Sequence, residues 1–191
     1  MKIKLALLLM VGAFSFISCN HDDETTPTPT SPTSSTATLN FTINGTSYSS
    51  TSFNNTLVSA SQSGQSGNRM DIRGTFDSNK TLILSVSNWD WQNPPTNGVL
   101  VKKYDTQVSG PNADCQTISG TMYCDGALGT YMFGSDYHMT ISQDAGYIEI
   151  TSCDPTSKKV SGNFYFLASD ISETVFDTIQ GTFTNQVYII P

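Results

Sequence analysis

Residues 69–87 read RMDIRGTFDSNKTLILSVS, and this stretch decides the fold class. Apolar or small residues recur at every second position on both sides of a polar centre: Met70, Ile72, Gly74 and Phe76, then Leu82, Leu84 and Val86. Side chains two residues apart point to the same face of a β-strand, so each half predicts a half-buried strand. The polar residues 77–80 between them are typical of a tight turn.

The same alternation of apolar and polar residues continues toward both ends of the domain. Residues 39–43 alternate apolar and polar side chains, Asn44-Gly45 is a typical two-residue hairpin turn, and residues 46–49 return, so a β-hairpin is expected to open the domain. Further strands are predicted at 56–60, before a polar loop at 61–68, and at 99–104, 130–133, 137–142, 147–152, 159–167, 174–180 and 182–190, the last two as a pair. This pattern predicts an all-β fold, an antiparallel sandwich of roughly 9–12 short strands, with a calycin-like barrel as the alternative. One short helix would fit between residues 107 and 129.

Four glycines share one local pattern: an aliphatic residue, a polar residue, Gly, a small polar residue and a large apolar residue. They are Gly74, Gly120, Gly162 and Gly181. Each glycine is therefore expected between two core-facing side chains, where it bends the strand or makes room for a bulky side chain of the facing sheet. We interpret the pattern as a packing device.

The amino-terminal residues 1–18 have the features of an export signal. Lys2 and Lys4 precede an apolar or small run from Leu5 to Ile17, which is shorter than the ~20 residues that span a bilayer. A small residue, Ser18, stands directly before Cys19, and this arrangement resembles the lipobox of bacterial lipoproteins. The resemblance implies cleavage before Cys19 and acylation of that cysteine, and two or more acyl chains anchor a protein stably where one binds only reversibly.

Residues 19–38 are expected to form a tether between the lipid and the domain of residues 39–191. After an acidic cluster at 20–24 the tether consists mostly of Thr, Ser and Pro, which lack the apolar surface needed to order a chain. The acidic cluster resembles the surface-export signals of Bacteroidota lipoproteins. We therefore predict a lipid-anchored protein of the outer membrane, on the cell-surface or the periplasmic face, with the surface slightly preferred.

The charge of the chain argues against nucleic acid as a partner. Nine basic and sixteen acidic residues give a net charge of −7, and loss of Lys2 and Lys4 with the signal leaves seven basic residues and a net charge of −9. Binding to phosphate backbones needs a basic surface. The expected partners are the membrane, through the lipid anchor, and a glycan or another envelope protein.

Short motifs in the domain resemble a family of Bacteroidota lipoproteins. Residues 39–45 (LNFTING) resemble the opening of that domain, residues 146–151 (GYIEIT) its middle strand, and residues 159–166 (KVSGNFYF) with Gly181-Thr182-Phe183 its closing strands. The resemblance implies an all-β fold and an envelope location. It implies no catalytic residues.

Three cysteines remain once Cys19 is lipidated. An exported compartment permits disulfides, and Cys115 and Cys124 are nine residues apart with Gly120 between them. This pair is the favoured disulfide, which leaves Cys153 free; pairings of Cys153 with either of the other two remain open.

Residue types for catalysis are scarce. His138 is the one histidine outside the tether, which disfavours zinc sites and leaves His138 and Glu149 as the main agents for a hydrolase. No metal, cofactor or catalytic residue is predicted. The candidate ligand-binding residues surround the two tryptophans: Trp89, Asp90, Trp91, Gln92 and Asn93.

The tryptophans have two interpretations. In an extended segment Trp89 and Trp91 share one side about 7 Å apart, as a platform for sugars would require, or they plug one end of the sandwich. The sequence accordingly favours a non-enzymatic binding or accessory module, with a hydrolase of an envelope or dietary polymer as the alternative.

Replacement of Cys19 tests the anchor. In cells fed a labelled fatty acid such as palmitate, the wild-type chain should carry label and partition with membranes, whereas Cys19→Ala should lose both, because the thiol is the predicted acylation site. Cys153→Ala is the matched control and should keep the label. Label retained by Cys19→Ala would contradict the prediction.

Overall fold

The computed structural model describes residues 36–50, 52–62, 65–89, 95–107, 114–118, 120–134, 136–140 and 146–191. These residues form fourteen strands and their turns, and no helix occurs among them. The strands are β1 Thr38–Ile43, β2 Thr46–Ser49, β3 Ser52–Phe53, β4 Asn55–Gln62, β5 Gln65–Phe76, β6 Lys80–Asn88, β7 Lys103–Asp105, β8 Cys115–Ile118, β9 Thr121–Cys124, β10 Gly126–Phe133, β11 Asp136–Thr140, β12 Tyr147–Asp154, β13 Lys159–Ser169 and β14 Phe176–Ile189. The all-β prediction is confirmed.

Twelve of the strands form one continuous hydrogen-bonded sheet, which folds into two packed layers. The first, called the six-stranded layer here, has the order β2-β1-β14-β13-β12-β7, and the second has the order β4-β5-β6-β10-β11 with β3 paired to β5. Hydrogen bonds join the layers at two corners, β4 to β14 and β11 to β13. The antiparallel sandwich is confirmed with one exception, because β4 and β14 run parallel.

The core lies between the layers and follows the period-two pattern of the sequence. Leu39, Phe41 and Ile43 of β1 are buried, as are Leu82, Leu84 and Val86 of β6. Rings from the two layers meet directly: Phe41 packs edge-on against Phe76 with 4.8 Å between their centroids. Both layers therefore contribute to a single core.

Three of the four patterned glycines make room for a bulky side chain, but only Gly74 does so for the facing layer as predicted. Gly162 and Gly181 accommodate side chains of neighbouring strands in their own layer. A Cβ on Gly74 would lie 2.4 Å from Leu39, one on Gly162 2.4 Å from the ring of Phe183, and one on Gly181 2.5 Å from Phe41. The interpretation is wrong for Gly120, which occupies the turn between β8 and β9 at φ +81°, a backbone conformation that favours glycine.

The closing strand differs from its prediction. Residues 174–180 and 182–190, expected as two paired strands, form one strand, β14, which pairs with β13, β1 and β4. A β-bulge interrupts it where Ser161 of β13 faces both Thr184 and Asn185, and Asn185 adopts φ +50°. An extra residue reverses which side chains face inward. Beyond the bulge Gln186 and Tyr188 are buried, while Val187 and Ile189 are more than half exposed.

Three further predictions needed correction. The polar loop predicted at 61–68 is shorter, because β4 extends to Gln62 and β5 begins at Gln65. The strand predicted at 99–104 forms only at its end, as Lys103–Asp105. Where a short helix was expected, the described residues form the hairpin β8–β9 and the start of β10. The predicted disulfide is confirmed: Cys115 and Cys124 are bonded and face each other in that hairpin, and Cys153 is free.

The predicted signal, Cys19 and residues 20–35 of the tether lie outside the described residues. Within the described ranges no helix has the length and apolar character of a membrane span.

A glycine of β10 generates a stability prediction. A Cβ on Gly129 would lie 2.3 Å from the ring of Phe166, so Gly129→Ala should lower the free energy of unfolding by about 1–3 kcal/mol in urea titrations. Gly126→Ala in the same strand is the matched control, because its Cβ would meet only a backbone oxygen at 3.8 Å, and a change within about 0.5 kcal/mol is expected.

A double variant separates this contact from strand propensity. Phe166→Leu should cost less stability in the Gly129→Ala background than in the wild type, since the smaller side chain relieves the overlap. Additive effects of the two substitutions would rule out the ring contact as the cause.

Candidate functional site

The outward side of the six-stranded layer carries two rows of polar and aromatic side chains that cross the strands. Residues paired directly across strands point to the same face. The registers place Ser47, Thr42, Gln180, Tyr165 and Tyr147 in the first row and Ser49, Asn40, Thr182, Asn163 and Glu149 in the second. The rows lie about 7 Å apart, two residues along each strand.

Most of these side chains line a concavity of about 690 Å³. Beside the second row, β12 and β14 each bulge opposite Ser161 of β13, at Thr151 and at Thr184–Asn185. Bulges bend the strands that carry them. The two bulges thus border the hollow on this sheet face.

Two tyrosines form the aromatic end of the concavity. The rings of Tyr147 and Tyr165 are half-buried, with centroids 6.4 Å apart and planes inclined by 34°. Nζ of Lys103 lies 3.9 Å from the centroid of the Tyr147 ring, a cation–π contact that holds the ring at the rim. The pair presents apolar ring surface beside polar groups.

The second row, and the part of the first row on β14, β1 and β2, carry hydrogen-bonding groups. Nδ2 of Asn163 donates to Oε2 of Glu149 at 2.9 Å, and Oγ of Ser49 donates to Oδ1 of Asn40 at 2.5 Å, which leaves Nδ2 of Asn40 as a donor. Four more polar side chains of the rows make no hydrogen bond to any described residue: Thr42, Ser47, Gln180 and Thr182. Groups of this kind meet the requirement of a ligand with many hydroxyl groups.

The sequence-predicted tryptophan site lies elsewhere. Trp89 follows β6, and Asp90, Trp91, Gln92 and Asn93 are outside the described residues. Cε3 of Trp89 lies 2.7 Å from the position of a Cβ on Gly67, so the indole covers that glycine, and its backbone N–H donates to Oδ1 of Asp125 at 2.5 Å. Trp89 lines a second concavity of about 280 Å³ and not the larger one.

A charged cluster surrounds that tryptophan. The buried carboxylate of Asp125 also accepts hydrogen bonds from Nδ2 of Asn88 at 2.9 Å and Nζ of Lys102 at 2.5 Å. Burial of a charge is tolerated when it is paired and hydrogen-bonded in this way. The surroundings of Trp89 thus have the character of structural packing at one end of the sandwich.

His138 lies at the corner where β11 meets β13. Its Nδ1 is 2.8 Å from Oδ2 of Asp177, and its ring packs edge-on against Tyr131. An imidazole beside a carboxylate is part of a hydrolase triad. Among the described residues, its close neighbours are an aromatic ring and a carboxylate, whereas a triad also needs a nucleophile.

Sequence reasoning missed Tyr147, Tyr165, Gln180 and Asn163 as functional residues. Tyr165 had a detectable signal, because Phe164 and Phe166 occupy core positions and an aromatic residue between them must face outward. The juxtaposition of Tyr165 with Tyr147 and Gln180 depends on the strand register, which no short motif encodes.

Comparison of the chain with family models, with curated proteins and with solved structures gives no match. Within the described ranges His, Cys, Asp and Glu side chains form no group of three or more that could hold a metal ion. The function of the protein is therefore inferred from the chemistry of the concavity.

Replacement of Trp89 distinguishes packing from ligand binding. Trp89→Ala should lower the free energy of unfolding by about 2 kcal/mol, because a half-buried ring loses its contacts, while ligand binding at the larger concavity should not change. Trp89→Phe keeps an aromatic ring and should retain most of the stability. Unchanged stability with lost ligand binding would restore the platform interpretation.

Proposed function

We propose that this protein is a lipid-anchored envelope lipoprotein of the Bacteroidota type whose β domain is a non-enzymatic glycan-binding module. The lipobox-like residues before Cys19, the Thr/Ser/Pro-rich tether and the short strand motifs support the location. They favour the outer membrane, with the cell surface slightly preferred over the periplasmic face.

The observation that carries the binding function is the concave outward face of the six-stranded layer. It places the rings of Tyr147 and Tyr165 next to side chains whose hydrogen-bonding groups have no partner among the described residues. The face of an aromatic ring carries negative charge and attracts the weakly positive C–H groups of a sugar ring, while amide and hydroxyl groups bind sugar hydroxyls. A sugar presents both kinds of surface at once, whereas a purely apolar ligand would leave the polar row unpaired.

This site replaces the tryptophan pair as the proposed glycan platform. The sequence suggested Trp89 and Trp91, and the position of Trp89 against Gly67 and Asp125 gives its ring a packing contact. The tyrosine pair provides the same chemistry in a larger and more open concavity.

A hydrolase of an envelope or dietary polymer is the second candidate, and one observation favours it. Nδ1 of His138 lies 2.8 Å from Oδ2 of Asp177, a separation typical of a general base and the carboxylate that orients it, although the two atoms do not meet hydrogen-bond geometry. Release of sugar by the wild-type chain that disappears in His138→Ala would favour this candidate over a binding module.

A glycan array probed with the full-length chain in detergent tests the proposal. Tyr165→Ala should weaken binding of captured glycans about tenfold or more, because a ring contact is lost, with the midpoint of thermal unfolding as the measure of folding. The matched control is Tyr137→Ala, which removes a tyrosine that is 44% exposed on β11 of the second layer and should leave binding unchanged. Equal loss in both variants, or no glycan captured by the wild type, would refute the proposed function.

A further inference from the structure

We infer that the concave face takes an unbranched, uncharged oligosaccharide that lies across the strands. This inference rests on the proposed glycan-binding function and adds to it the charge, the length and the direction of the ligand. Three observations carry it: the neutrality of the lining, the span of the two rows, and the separation of aromatic from polar groups along the first row.

The lining of the concavity is uncharged. None of the thirteen described residues that line it is Asp, Glu, Lys or Arg. At the rim, the carboxylate of Glu149 accepts a hydrogen bond from Asn163, and the ammonium group of Lys103 lies over the Tyr147 ring. An anionic glycan would lose hydration here without gaining a cationic partner from the lining. The net negative charge of the protein would also repel it.

The rows are longer than one sugar ring. They cross β12, β13, β14, β1 and β2, and four steps of about 4.8 Å between neighbouring strands give a span of roughly 19 Å. One ring held by Tyr147 and Tyr165 would cover only β12 and β13. Several linked rings in a single line are needed to reach Asn40 of β1 and Ser47 of β2, so the ligand extends across the strands.

The two ends of the rows perform different tasks. In the first row, the tyrosines occupy β12 and β13, and amide and hydroxyl side chains occupy β14, β1 and β2, whereas the second row is polar along its whole length. A short ligand is expected to bind at the tyrosines first, because burial of a ring face contributes more than a single exposed hydrogen bond. Longer ligands then add contacts at Gln180 and Asn40.

Titration calorimetry with the full-length chain in detergent tests this order of contacts. The probes are neutral gluco-, manno- and xylo-oligosaccharides from mono- to hexasaccharide, with uronic-acid and sulfated oligosaccharides of matched length. For the neutral series that binds, affinity should rise from the monosaccharide to about the tetrasaccharide and then level off, and it should not depend on salt between about 0.05 and 0.5 M.

Two variants test the direction of the ligand. Tyr165→Ala should weaken the disaccharide and the tetrasaccharide alike, whereas Asn40→Ala should weaken the tetrasaccharide about fivefold and the disaccharide less than about twofold. Asn79→Ala, which removes an exposed asparagine from the turn between β5 and β6 in the second layer, is the matched control and should change neither affinity.

The outcomes separate this inference from the function on which it rests. Tyr165-dependent binding that prefers anionic oligosaccharides, or that is equal for mono- and tetrasaccharides, would overturn the inference and leave glycan binding in place. Absence of binding to every oligosaccharide would overturn both.

Discussion

Two β-bulges, one in β12 and one in β14, lie on either side of Ser161 in β13 and decide which side chains of β12 and β14 face the core. Thr151 is the extra residue of β12. In β14 two residues, Thr184 and Asn185, stand opposite Ser161, and the N–H of Asn185 donates to Oγ of Ser161 at 2.9 Å. Each extra residue exchanges the inward and outward faces of its strand. In β12, the side chains of Ile148 and Ile150 face inward before the bulge, whereas the side chain of Cys153 faces inward after it.

The exchange of faces is what allows β14 to belong to both layers. Past its bulge, β14 buries Gln186, whose Oε1 accepts a hydrogen bond from Nδ2 of Asn55 in β4 at 3.0 Å and whose Nε2 donates to the carbonyl of Thr38 at 2.7 Å. The hydroxyl of Tyr188 donates to the carbonyl of Asn97 at 2.6 Å. A buried polar group must be hydrogen-bonded. The bond to Asn55 fixes the end of β14 against the second layer, and the other two fix it to β1 and to the segment between β6 and β7.

The sequence predicted the elements that depend on local alternation and missed those that depend on the bulges. β1, β5 and β6 follow a strict period of two, and their core residues were all identified. In β14 the apolar residues Val187 and Ile189 suggest a buried face, yet the bulge at Asn185 turns them outward and buries Gln186 instead. The candidate site was missed for the same physical reason: Tyr147, Tyr165 and Gln180 are separated in the chain, and only the strand register brings them together.

Charged side chains are arranged differently on the outward faces of the two layers, and this difference bears on where a ligand is proposed to bind. On the outward side of the second layer, burial raises the pKa of Asp71, but hydrogen bonds from Ser85, Arg69 and Arg73 outweigh it and hold the pKa below its usual value. Asp71 thus stays ionised at neutral pH, and the charges on that face satisfy one another. The concavity of the six-stranded layer has no such internal partners: its lining is neutral, and several of its hydroxyl and amide groups are unpaired within the described protein. The six-stranded layer is therefore the face on which we propose the binding site, because its hydroxyl and amide groups can pair with a ligand without breaking hydrogen bonds inside the protein.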